Sequence, residues 1–403
     1  MKYIIRAKKL ITVTDVGTIE NGAMLVEDGI IKEVGRWDTL KNQIPKFDLI
    51  DCSNQVITPS LVDCHTHLLE FAPSSLYPVT TKTHFLAGKA ILFKALSSGI
   101  TALGEQICGH PLCDFSVSEY RDAVADFPMD ISFATTSISI GFEDLAHFTS
   151  ITGSKAVSQS DLTSSNLVKK IAENSDYPGE NIFINATPAN FTEDVVPKAG
   201  EIIYTTEQLK EIVAIYHDAD KKIGCHVAGE EGIGMAIKAG FDVLHHAHGI
   251  TDKQIDKVVE KGIQIVVTPM GGTHLPPNSP EQIVKLIERK IPVSISTDAY
   301  LPPYPGVPWL PFQDRSLKGP DSLMLIAGPS MKLLKNTFDE NQILALLTNS
   351  PARILGKENQ FGRLEPGLAA NFLVAEGIPG LEITDVDQIK KVFYKGVKVI
   401  ERG

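Results

Sequence analysis

Apolar positions along this chain follow one rhythm at its two ends and another through its middle. From residue 1 to about 55, short apolar runs alternate with turn residues: Tyr3-Ile4-Ile5, Lys9-Leu10-Ile11-Thr12-Val13 and Ala23-Met24-Leu25-Val26, then Asp28-Gly29 ahead of Ile30-Ile31-Lys32-Glu33-Val34. Runs of that length and β-branched content predict strands, and the Asp-Gly pair between two of them predicts a hairpin. From about 57 to 320, strand-like runs begin near Val56, Ile100, Met129, Asn181, Ile223, Asp242, Gln264 and Pro292, with amphipathic stretches such as 206–221 and 252–261 between them. Alternation of this kind predicts βα units around a parallel sheet, and eight units over about 250 residues is the length of a (β/α)₈ TIM barrel. Helices are predicted near 321–335 and 339–347. Strand character then returns in Asn371-Phe372-Leu373-Val374-Ala375 and Lys391-Val392-Phe393-Tyr394, and Lys395-Gly396 turns into Val397-Lys398-Val399-Ile400. The fold class expected is therefore α/β: a barrel over 57–354 beside a small β-sandwich made of 1–56 and 355–403.

Composition supports a folded protein and narrows its partners. With 403 residues and 43% apolar content, the chain can bury a large core. A net charge of −11 without a clustered basic run leaves no face for nucleic acid or anionic lipid. The opening Met1-Lys2-Tyr3-Ile4-Ile5-Arg6 lacks the apolar core of a secretory signal, and no stretch approaches the roughly 18 apolar residues of a membrane span, so a cytoplasmic protein is expected. Cys52, Cys64, Cys108, Cys113 and Cys225 form neither an even disulfide framework nor a Cys-x-x-Cys pair, which fits a reducing compartment. The stretch 301–311 is too Pro-rich for helix or sheet and reads as a semi-rigid loop.

Chemistry gathers at the ends of the predicted barrel strands. The first apolar run leads into Asp63-Cys64-His65-Thr66-His67, where strand alternation turns His65 and His67 to one face. The fifth strand ends in His226, the sixth in His245-His246-Ala247-His248 and the eighth in Asp298. Functional groups of such barrels sit at the C-terminal strand ends. Imidazoles and a carboxylate meeting there would hold a divalent ion with coordination positions left for water.

The chain resembles the amidohydrolase superfamily over nearly its whole length. Ile57-Thr58-Pro59-Ser60-Leu61-Val62-Asp63-Cys64-His65-Thr66-His67 is similar to that family's first-strand motif, with Ser60 where glycine is usual. The segment 226–246 resembles its fifth and sixth strands, Ser296-Thr297-Asp298-Ala299 its eighth, and 349–367 its return to the terminal sheet. The resemblance implies His65, His67 and His226 as metal ligands, Asp298 as ligand and general base, and His246 as a ligand or substrate-polarising group singled out by Gly240-x-Asp242. Alternation would turn His245 away from His246. The fourth strand, 181–188, contains no lysine to become a carbamate bridge, which favours one ion over two, with Glu105 as a substitute bridging carboxylate. Family deaminases place a glutamate three residues after the fifth-strand histidine; here that position is Gly229, with Glu230 next as a candidate proton shuttle. The spacing moves the chain toward imidazolonepropionase-like and prolidase-like members.

The expected activity is therefore metal-assisted hydrolysis of a non-peptide C–N bond, such as a cyclic amide, in a small metabolite. Zinc is the expected metal, with iron or manganese as alternatives. Heterocycle deamination, prolidase-like dipeptide cleavage and a non-catalytic barrel scaffold are the competing readings, and a homo-oligomer is allowed for. In the loops, His110, His274, Trp309 and Arg315 are candidate substrate contacts, with Tyr304 and Trp309 as an aromatic lid and Arg315 as a carboxylate clamp. His147 and His248 read as loop or supporting residues. Cys64 and Cys225, each just before a ligand, read as small core side chains.

Overall fold

The two rhythms of the sequence become two kinds of sheet. The computed structural model describes residues 1–43, 46–71, 81–107, 116–135, 163–186, 199–312 and 314–403. From the head of the chain come β1 (Lys2–Ile11), β2 (Thr18–Glu20), β3 (Gly22–Glu27), β4 (Ile30–Arg36) and β5 (Asp48–Pro59). The middle supplies β6 (Leu61–Thr66), β7 (Ile100–Ile107), β8 (Asp130–Thr135), β9 (Ile182–Phe183), β10 (Gly224–Ala228), β11 (Val243–His248), β12 (Gln264–Val267) and β13 (Val293–Ile295). The tail adds β14 (Phe372–Ala375), β15 (Ile389–Tyr394) and β16 (Val397–Glu401).

Head and tail pair in one eight-stranded sheet of order β16-β15-β14-β5-β1-β3-β4, with β2 on β1. The two predicted runs over 3–5 and 9–13 are one strand, which pairs antiparallel with β3 and parallel with β5. One face of the sheet buries Ile5, Leu10, Met24, Ile57, Phe372 and Phe393. At Ser60 the chain changes sheets: its N–H bonds the Asn371 carbonyl in the terminal sheet, and the next, Leu61 N–H, bonds Gly99 ahead of β7. Ser60 Oγ meets Thr101 Oγ1 at 2.5 Å. A single apolar run thus crosses from one layer to the other and delivers His65 and His67 to the end of β6.

The middle strands form a parallel set β6-β7-β8 and a parallel set β13-β12-β11-β10-β9. The outer strands β13 and β6 are tied beyond their ends, where Asp298 N–H bonds the His65 carbonyl at 3.0 Å and His67 N–H bonds Ala299 at 2.7 Å. Between β8 and β9 the link is a side chain, Asn181 Nδ2 donating to the Thr135 carbonyl at 3.1 Å. Helices fill the connections, and their boundaries follow local chemistry. Thr205 and Gln208 form a capping box ahead of Thr206–Asp218, while Asp252–Lys261 buries Ile255 and Val258 on one stripe. The main core packs these helices onto the outward-facing strand residues Leu103, Leu244 and Ile265. The architecture is α/β. None of the helices among the described residues is long and apolar enough to cross a membrane.

The Pro-rich stretch builds a small core of its own. Val307, Trp309, Leu310 and Phe312 pack with Met270 and Ile326.

Candidate metal centre

His65, His67, His226, His246 and Asp298 converge, and the group at their centre is Glu180, which the reading of the sequence missed. Its Oε1 lies 2.7 Å from His226 Nδ1 and 2.6 Å from His246 Nε2. Its Oε2 lies 3.5 Å from His65 Nε2 and 3.4 Å from His67 Nε2. Asp298 Oδ1 closes the second group, 3.1 Å from His65 Nε2 and 3.5 Å from His67 Nε2. One carboxylate oxygen therefore faces each histidine pair. All six side chains are buried.

Glu180 reaches the centre from the N-terminal side of the short strand β9, because the preceding segment runs unusually close to its neighbours. A Cβ at Gly224 would fall 2.1 Å from the Gly179 carbonyl oxygen and 2.7 Å from that of Pro178. The Glu180 N–H is held by Gln106 Oε1 at 2.9 Å. Gly224→Ala should displace 177–180, costing about 1–3 kcal/mol in stability as overpacked sites do. The urea midpoint and the divalent-ion affinity of the variant check this, and both should fall.

The backbone is bent where these side chains converge. The β10–β11 register shifts between Val227 and Ala228, and His246 and Asp298 have φ of +68° and +55°. Non-glycine residues seldom adopt such values, and the cost of about 1–3 kcal/mol each is met only where surrounding structure imposes it. At Gly272, with φ of +109°, a Cβ would fall 2.1 Å from Asp298 Oδ2, so glycine is required for the loop to cover the site.

Electrostatically the site is built for a cation. Burial pushes the Glu180 carboxyl up, but the rings of His65, His226 and His246 more than reverse this and hold it well below the usual carboxylate range. Burial lowers His65, while Glu180 and Asp298 raise it further, to about 10, as expected of a ring that faces two carboxylates. His65 Nε2 is buried without a hydrogen bond of its own. Two sets of donor atoms, His65/Glu180/His246 and His65/His67/Asp298, each lie within 4.8 Å of one another. Imidazole and carboxylate donors in these numbers suit zinc and related divalent ions.

Supporting groups orient the converging side chains. Asp63 takes Thr297 Oγ1 at 2.6 Å and Thr297 N–H at 3.2 Å, joining the first strand to the Asp298 turn. The Thr268 hydroxyl donates to the Gly271 carbonyl at 2.7 Å and so accepts from His246 Nδ1 at 2.7 Å, which leaves His246 Nε2 bare toward Glu180. His245 does not turn away, as simple alternation would have it: its Nδ1 lies 2.7 Å from His65 Nδ1, because the register shift and the left-handed backbone at His246 break the alternation. His248 Nδ1 meets Thr273 Oγ1 at 2.8 Å.

Other candidates lie elsewhere. Glu105 is not part of the cluster; its oxygens accept from Thr66 Oγ1 and Leu69 N–H, both at 2.6 Å. Glu230 is exposed in the first turn of Gly229–Ala239, where it favours the helix dipole. Arg315 is exposed with no partner among the described residues, and Trp309 packs in the apolar cluster of the Pro-rich loop. His274 is half-buried against Gly200. Cys64 and Cys225 are buried free thiols. His110 and His147 lie outside the described residues.

A family model for the amidohydrolase family matches residues 56–399. The chain is similar to imidazolonepropionase of Pyrobaculum arsenaticum, 24% identical over 331 residues that cover 73% of this chain and 77% of that protein. It is similar also to imidazolonepropionase of Treponema denticola, 25% identical over 425 residues covering 95% and 92%. Among solved structures, a Xaa-Pro dipeptidase with bound methionine matches with a TM-score of 0.72 at 19% identity, covering 100% of both chains. Guanine deaminase of E. coli matches with a TM-score of 0.65 at 17% identity, again over 100% of both. At such identities these structures speak for the fold alone.

Proposed function

This chain belongs to the amidohydrolase family, and from that footing we propose that it hydrolyses a cyclic amide or related C–N bond of a small metabolite in the manner of the imidazolonepropionase-like branch. The observation that carries the reading is Glu180 set between two histidine pairs with Asp298 beside one of them. On this reading the eight middle strands close as a barrel over 57–354, with 1–56 and 355–403 as the terminal module, and the protein works in the cytoplasm.

His65, His67 and Asp298 would hold one divalent ion and His226 and His246 a second, with Glu180 shared between them. Zinc is the first candidate, and Glu180 between the histidine pairs favours two ions, where the lack of a lysine in the fourth strand favoured one. Such ions, when bound, supply an acidified water and polarise the scissile carbonyl. Asp298 Oδ1 is directed at the ligand histidines, so Oδ2 is the atom that takes a proton from the attacking water and passes it to the leaving nitrogen. His246, fixed by Thr268, orients its Nε2 into the same space. Glu230 has no part in this scheme, and its exposure weighs against a deaminase reading.

The test is a panel of imidazolonepropionate and other cyclic amides, N-heterocycles scored for ammonia release, and Xaa-Pro dipeptides, run before and after exhaustive chelation. Ring opening that disappears with the metal and returns with zinc is expected. A full rate after demetallation, or turnover confined to the heterocycles or dipeptides, overturns the proposal.

A further inference from the structure

We infer that His245 is a positioning residue: it locks His65 in one tautomer through a relay that starts at the carbonyl of Pro178. The inference rests on the reading of His65 as a metal ligand and adds a group that is not itself a ligand. His245 Nε2 lies 3.0 Å from the Pro178 carbonyl oxygen, which can only accept, so Nε2 carries the hydrogen. His245 Nδ1 lies 2.7 Å from His65 Nδ1, and between two ring nitrogens one donates and the other accepts. His245 is fully buried and forms no ion pair with a carboxylate among the described residues, so a second proton on it would be a buried charge without a direct partner. Its Nδ1 is therefore the acceptor and His65 Nδ1–H the donor.

The consequence appears at the far side of the His65 ring. With its hydrogen fixed on Nδ1, neutral His65 presents a bare Nε2 toward Asp298 Oδ1 at 3.1 Å and Glu180 Oε2 at 3.5 Å. The other tautomer would point a hydrogen where the cation binds. The ring centroids of His65 and His245 lie 4.8 Å apart at an interplanar angle of 59°, so the two meet through their edges and do not stack. The start of the relay is kept clear as well: a Cβ at Gly224 would fall 2.7 Å from the Pro178 oxygen and 3.0 Å from His245 Nε2. Outer hydrogen-bond partners of this type set both the orientation and the basicity of a ligand histidine.

The test compares zinc affinity, measured by competition with a chromophoric chelator, across four variants of the full chain. His245→Phe keeps the ring volume and removes the acceptor, and should weaken zinc binding about 10–100-fold, whereas His245→Asn, with a carbonyl oxygen near the former Nδ1, should stay within about threefold of wild type. His65→Ala/His245→Phe should bind zinc no more weakly than His65→Ala alone, because His245 acts through His65. Equal losses in the Phe and Asn variants, no loss in either, or additive losses in the double variant would overturn the relay. Nitrogen-15 spectra of histidine-labelled, zinc-loaded wild type give a readout that needs no variant to fold: hydrogen on Nε2 of His245 supports the relay, and hydrogen on Nδ1 overturns it. Wild-type zinc affinity in His65→Ala would instead overturn the metal reading beneath it.

Discussion

If two zinc ions share Glu180, Glu180→Gln should lower the zinc content of the purified protein to one ion per chain or fewer and reduce kcat/KM about 10³-fold, a loss of about 4 kcal/mol in transition-state stabilisation. The substitution leaves shape and volume nearly unchanged and removes only the negative charge. If Glu180 served merely to accept hydrogen bonds from the rings 2.7 and 2.6 Å from its Oε1, a glutamine oxygen could keep one of those contacts and the metal content would hold. If it is shared between two cations, no neutral group at that position can balance them. Elemental analysis alongside steady-state kinetics decides the matter. Wild-type zinc content with a wild-type rate would remove Glu180 from the centre and return the site to a single ion held by His65, His67, His226 and Asp298.

The reasons why Glu180 escaped the sequence while its neighbours did not are physical. His65, His67, His226 and Asp298 each end an apolar, β-branched run, and local patterning is enough to find the end of a strand. Glu180 stands ahead of a strand only two residues long and enters the site from its N-terminal side. That path depends on close contacts between residues far apart in sequence, Gly224 with Gly179 and Pro178, and Gly179 with Gln106 and Ala134, and no local pattern encodes them. His245 was obscured differently: alternation assumes an unbroken strand, and the register shift with its left-handed residues breaks it beside the ligand. The hairpin at Asp28-Gly29 and the helix 252–261 lie where sequence places them, because turn chemistry and an amphipathic stripe are local properties. The pairing of β1 with β5 is parallel and depends on a crossover, so it could be read only from the assembled sheet. In the Pro-rich loop Trp309 was legible as a large apolar side chain, read as part of a lid with Tyr304, whereas its packing against Met270 and Ile326 depends on residues distant in sequence.

Asp298→Asn separates chemistry from binding at the same centre. Asparagine keeps an oxygen where Oδ1 faces His65 and His67, and the backbone bond from residue 298 to the His65 carbonyl does not involve the side chain. Most of the metal should therefore remain, held by the histidines and Glu180. The amide cannot take a proton at the position of Oδ2, so kcat should fall about 10²–10⁴-fold, the range that a positioned general base contributes. Glu180→Gln loses ions and rate together, whereas Asp298→Asn should lose rate with the ions in place. Metal content and kcat measured on the same preparations distinguish the two. A rate near wild type in Asp298→Asn would assign the proton to another group, and a metal loss as complete as that of Glu180→Gln would make Asp298 a ligand whose contribution ends at binding.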